Sequence, residues 1–240
     1  MKFPIKSQAT VQGFSLLEPL VAILILAAVM SVFTPPMVLA IATRIKTFRV
    51  EQAIKAAQSE VDRNRRLIER ETTASALNPQ LPPAATPNTA TPQAIGAPTS
   101  STPSCTTDPN VIPPLPTTAQ GWCPVPNPEN PSNPTLGMQV FRTQIYNLDG
   151  TAGSNTSKLP VAYQLGVRIY SIQALQQNAG NLQTGTSTLS LSPTSQSLRA
   201  PLAVLYGPIA RSDFSTPNES ALRRICVLNN AGSTTNCPDN

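Results

Sequence analysis

Three groups of residues in this chain have types and spacings that could do chemistry. The first is a lone carboxylate, Glu18, at the head of the run Pro19–Ala42, which carries no charge and only Ser31 and Thr34 as polar side chains. An ionised acid in such a run costs roughly 2.5–3.5 kcal/mol if the run enters a bilayer, so Glu18 calls for a positive partner. That partner would come from another subunit or from a processed N-terminus. The second group is four cysteines, at 105, 123, 226 and 237, an even number with three possible connectivities. The economical pairing joins Cys105 to Cys123 and Cys226 to Cys237, each short loop contributing roughly 3 kcal/mol in the chain-entropy account. Four unpaired thiols are the alternative. The third group is basic: Arg63, Arg65, Arg66 and Arg70, answered by Glu60, Asp62, Glu69 and Glu71. A solvated helix face laced with ion pairs explains it most simply; an anionic polysaccharide, lipid head group or nucleic acid is the competing reading.

Other chemistry is excluded or unsupported. The 240 residues include no His, which removes Ser-His-Asp and Cys-His catalysis and the commonest metal ligand. There is no Cys-x-x-Cys pair for zinc and no Gly-rich phosphate loop. Neither an enzyme nor a cofactor is expected, and no metal site and no nucleic-acid partner.

The elements that must position these groups follow in order. Residues 1–13 hold Lys2 and Lys6 and no acid, a basic leader. Residues 14–42 are long and apolar enough for a membrane-spanning helix of about 20 residues, with Pro35 and Pro36 expected to break or kink it. Residues 43–71 turn amphipathic: Ile45, Phe48, Ile54, Ala57, Val61 and Ile68 recur at helical spacing among good helix formers. Residues 72–135 change character, with 16 prolines between Pro79 and Pro134, and read as an extended linker or loop whose later part is pinned by Cys105, Trp122 and Cys123. Trp122 reads as a packing plug or as a sugar-stacking platform. Residues 136–240 hold runs of period-two alternation at 137–146, 161–170, 188–191, 202–206 and 224–228. The expected fold is α+β: a long N-terminal helix, transmembrane then amphipathic, packed on an antiparallel sheet of four or five strands. Val, Leu, Ile and Tyr would face the helix, and Arg and Gln would face water.

The segment Gly13-Phe14-Ser15-Leu16-Leu17-Glu18, joined to a basic leader and an apolar helix, resembles the type IV pilin and pseudopilin family. The likeness covers about the first fifth of the chain. It departs at Pro19, where many members carry Leu. It implies cleavage between Gly13 and Phe14 by a prepilin peptidase, N-methylation of Phe14, and an assembly role for Glu18 against a neighbour's new amine. It implies a pilin-like fold, local melting of the helix near Pro35 and Pro36, and a C-terminal disulfide loop, which supports the Cys226–Cys237 pair. The implied place is the inner (cytoplasmic) membrane, single pass, with the N-terminus cytoplasmic and the C-terminal domain extracytoplasmic. Charge bias alone opposes that orientation, because Arg44, Lys46 and Arg49 follow the apolar run. Implied partners are other pilin or pseudopilin subunits, the peptidase, an inner-membrane assembly platform and membrane lipid. The Pro- and Thr-rich segment also resembles pseudopilins of hormogonium polysaccharide secretion, which implies a secreted polysaccharide and motility.

Two other functions fit the residues. A membrane-tethered module could bind a glycan or peptide on its exposed sheet or on Trp122. A secreted domain could be released at Ala40-Ile41-Ala42, a small-x-small signal-peptidase pattern. Separately, Ser15 and Glu18 also fit a helix capping box, which would leave Glu18 a local role only.

Overall fold

The computed structural model describes residues 17–88, 90–108, 111, 113–127, 130, 132–148, 151–153, 157–186, 198–212 and 226. The chain divides into two units, Met1–Thr47 and Phe48–Asn240. Helix α1, Leu17–Arg70, contributes to both over 54 residues. It contains no Gly, and Ala, Leu, Gln, Glu, Lys and Arg favour the helix throughout. The expected break at Pro35 and Pro36 does not end it: the helix runs through both.

The transmembrane half expected over 14–42 is not found. Among the described residues no helix is long and apolar enough to cross a membrane. The single-pass inner-membrane placement and its stated orientation fall with it.

In the second unit, β1 (Cys123–Pro124), β2 (Leu136–Asn147), β3 (Pro160–Ser171) and β4 (Ala203–Ala210) form one antiparallel sheet in the order β1-β2-β3-β4. Expected strands at 188–191 and 224–228 lie outside the described residues, except Cys226, which is helical. The other short elements are α2 (Ala74–Leu77) and α3 (Ile172–Gln177), with 3-10 turns at Asn78–Gln80 and Pro92–Ala94.

Period two sends Tyr163, Leu165, Val167 and Ile169 of β3 to one face, where they pack with Ala53, Ala57, Leu67 and Ile68 of α1. The buried stripe of α1 is therefore Ala53, Ala57, Glu60, Asn64, Leu67 and Ile68. Of the expected stripe, Ala57 and Ile68 are buried and Val61 packs on the core, whereas Ile45, Phe48 and Ile54 are exposed. Small Ala53 and Ala57 let the helix approach the sheet, and two polar residues take the middle of the seam. They are tolerated because they are satisfied. Tyr163 donates its hydroxyl proton to Asn64 Oδ1 at 2.9 Å. Asn64 Nδ2 donates to Glu60 Oε1 at 2.7 Å, and Arg63 Nη2 completes the Glu60 carboxylate at 2.7 Å.

Burial pushes the Tyr163 phenol well above its ordinary pKa, opposed by the nearby Arg142 guanidinium. The folded state thus holds a proton that the unfolded chain releases above about pH 10. Stability from this group is complete below that pH. It is lost as pH rises further, by about 1.4 kcal/mol per unit. Urea denaturation of the native protein and Tyr163→Phe at pH 8 and pH 10.5 tests this. The deficit of the variant at pH 8, about 1 kcal/mol for the lost hydrogen bond, shrinks or reverses at pH 10.5.

Candidate functional site

The opposite face of the sheet departs most from the sequence expectation. Gln139, Gln164 and Arg168 alternate outward in the strands, yet all three are buried, and Arg168 is 0% exposed. The cover is the Pro-rich segment, which lies on the sheet and does not run free as a linker. Ala84 pairs with Arg142 at the edge of β2, where Arg142 N donates to Pro83 O and Ala85 N donates to Arg142 O. Further along, Ala85 and Ile95 pack on Phe141, while Trp122 packs with Tyr170 and Leu175.

A proline-rich backbone offers carbonyls without matching N–H groups, so it must be met by donors. Arg168 is the main one. Its Nη2 donates to Pro92 O at 3.0 Å, and its Nη1 to Ile95 O at 2.8 Å and Gly96 O at 3.2 Å. Its Nε donates to the Tyr206 hydroxyl at 2.7 Å. The guanidinium also lies 5.2 Å from the Phe141 ring centroid and 5.5 Å from that of Tyr206. Phe141 in turn lies over Gly166, where an added Cβ would collide with the ring. On the other face Arg142 Nε donates to Pro82 O at 2.8 Å, and burial lowers its pKa. Neither arginine pairs with a carboxylate among the described residues.

Asn88 holds an irregularity in β2. Gln144 has φ +49°, a left-handed conformation that costs a side-chain-bearing residue energy. Its N–H donates to Asn88 O at 2.6 Å, and Ile145 N donates to Asn88 Oδ1 at 3.0 Å. The pairing register of β2 and β3 shifts at this point, which returns Ile145 to the helix-side core.

The residues expected to act are placed as follows. Gly13 and Phe14 lie outside the described residues, as does Cys237. Glu18 sits in the first turn of α1 and is exposed. Around and beyond it Leu17, Leu20, Ile23, Leu24, Ile25 and Leu26 are all more than half exposed. Ala40, Ile41 and Ala42 lie inside α1. Cys105 and Cys123 form a disulfide, and Cys226 is disulfide-bonded as well. Trp122 is 1% exposed and donates its Nε1 proton to Ser100 O at 2.9 Å, so it offers no ring face to a sugar. The basic cluster is largely paired: Arg63 with Glu60, Arg65 with Asp62 at 3.8 Å, and Arg70 with Glu71 at 2.8 Å. What sequence reasoning missed is Arg142 and Arg168. The available signal was 16 prolines without a stated source of donors.

No protein-family model, curated protein or solved structure matches the chain.

Replacing Arg168 with Met leaves the buried Pro92 and Ile95 carbonyls without this donor, while Gly96 O keeps Gln139 Nε2. At about 1–3 kcal/mol for each unsatisfied group, the loss is about 2–6 kcal/mol in chemical denaturation. Hydrogen exchange should rise at Ala85, Ala90 and Ala94 while β2 and β3 amides stay protected. Unchanged exchange at those alanines would show that the guanidinium does not hold the cover.

Proposed function

We propose that this protein is a pilin-like filament subunit, cut between Gly13 and Phe14 by a prepilin peptidase and assembled through the N-terminal part of α1. One observation carries the reading: a helix segment from Leu17 to Met30 that is apolar on every side, exposed, and marked by one acid. A helix hydrophobic all round is a helix to be buried, and in this reading other copies or related subunits bury it. The motif Gly13-Phe14-Ser15-Leu16-Leu17-Glu18 supports the same role. Cleavage would create a positive amine at Phe14, four residues before Glu18. In a packed filament that amine on one subunit neutralises Glu18 on the next and fixes their axial offset. The function is assembly and not catalysis.

Burial of Trp122, 1% exposed, favours this reading over a module that would stack a glycan on that ring.

Mass spectrometry of the native protein should find Phe14 at the N-terminus, with methylation adding support; an intact leader overturns the proposal, and Thr43 points to secretion. Glu18→Gln removes one charge of a pair formed where water is scarce. A lost partner in such a pair costs roughly 3–5 kcal/mol, so incorporation into filaments falls by tenfold or more. Incorporation equal to the native protein would remove Glu18 from the mechanism.

A further inference from the structure

The second unit carries a cleft of about 470 Å³ between α1 and the start of β2. One wall is a ridge of α1, Gln52, Lys55, Ala56 and Ser59, at the spacing of helix neighbours; Val125 and Met138 stand on the other wall. The lining is mostly apolar, and its small residues allow another helix to approach closely. Two charged side chains border it. Glu60 is already bound by Arg63 and Asn64. Lys55 is exposed and makes no ion pair among the described residues.

We infer that this cleft receives the segment Leu17–Met30 of a second copy, with Glu18 of the incoming helix against Lys55 at the rim. The inference rests on the proposed assembly role and names the surface that accepts the helix. The occupant follows from two observations. Leu17–Met30 is an apolar element exposed along its length, and the cleft is an apolar trough. The segment's single ionisable side chain is an acid, and the cleft's single unpaired one is a base. Glu18, Val21, Ile25 and Val29 fall on one face at helical spacing, which sets three apolar side chains in line with the carboxylate. A carboxylate has two oxygens, so Lys55 and the Phe14 amine can both be served.

Co-precipitation of two differently tagged full-length copies tests this. Lys55 is exposed, so its reversal leaves the fold intact. Lys55→Glu should lower recovery about tenfold, in the range of a close interfacial charge pair. A second exchange, Glu18→Lys in the partner, should restore recovery to within about threefold of native. Ala56→Trp, which fills the trough without touching charge, should also lower recovery. If Glu18→Gln disrupts association while Lys55→Glu and Ala56→Trp do not, the cleft is overturned and the assembly role stands. Failure of the reversed pair to recover overturns the Lys55 contact and with it this docking. No association of native copies, even when processed, overturns both.

Discussion

A shortage of backbone donors shapes the larger unit of this protein. Sixteen prolines between Pro79 and Pro134 each withdraw an N–H while leaving a carbonyl. Such a segment can lie against a sheet only if donors rise from the sheet to meet it. Arg168 and Arg142 are those donors, with five N–H groups each in a fixed fork and no need of a carboxylate. Burying a guanidinium is costly. For Arg168 the cost is offset because all three nitrogens donate, to carbonyls, the Tyr206 hydroxyl and the Gln139 amide oxygen, and because Phe141 and Tyr206 turn their ring faces to the charge. One consequence is an antiparallel sheet covered on both faces, where such sheets commonly leave one face wet.

The helix side solves a related problem differently. Its seam is built from alanines at the close approach and from Glu60 and Asn64 at the centre. The two polar residues form a directed chain from the Tyr163 hydroxyl through Asn64 to Glu60, closed by Arg63, which also donates to Gln80 O at 3.0 Å. That last bond ties the network to the start of the Pro-rich segment. Cover and helix are thus joined through shared hydrogen bonds as well as through apolar contact. A slide of α1 by one turn would leave Tyr163 and Asn64 both unsatisfied, so the polar pair sets the helix register.

Much of the sheet was readable from alternation alone. The runs 137–146 and 161–170 fall within β2 and β3, and 202–206 overlaps β4. Alternation does not reveal what covers a face. Arg168 and Gln139 read as solvent-facing because their acceptors are main-chain atoms of a segment roughly seventy and forty residues upstream, which leave no trace in a side-chain pattern. The helix stripe was right at Ala57, Val61 and Ile68 and wrong at Ile54 for a similar reason: apolar periodicity favoured Ile54 over Ala53 and Asn64, whereas tertiary hydrogen bonding decided otherwise. The apolar run was read as a membrane span from its length and hydropathy, whereas among the described residues no helix is long and apolar enough to cross a membrane. Glu18 was readable as an anomaly, since a lone charge in an apolar run is visible in the sequence. Its partner is not, because that belongs to another molecule or to residues that processing would expose.

The apolar segment Leu17–Met30 and the cleft beside Lys55 are different surfaces of one molecule. A contact between them is therefore heterologous: each copy presents one surface to its neighbour and keeps the other for the next. Isologous pairing would close at two copies and leave nothing further to fill. Heterologous pairing leaves one apolar helix segment and one cleft unfilled in the assembly, so addition continues unless the rotation per step closes a ring. The docking limits that rotation, because sliding or tilting the incoming segment would separate Glu18 from Lys55 and lift Val21 and Ile25 from the trough. Extended assembly is then a consequence of where the two surfaces sit, and a single charge pair is enough to set the offset between successive copies.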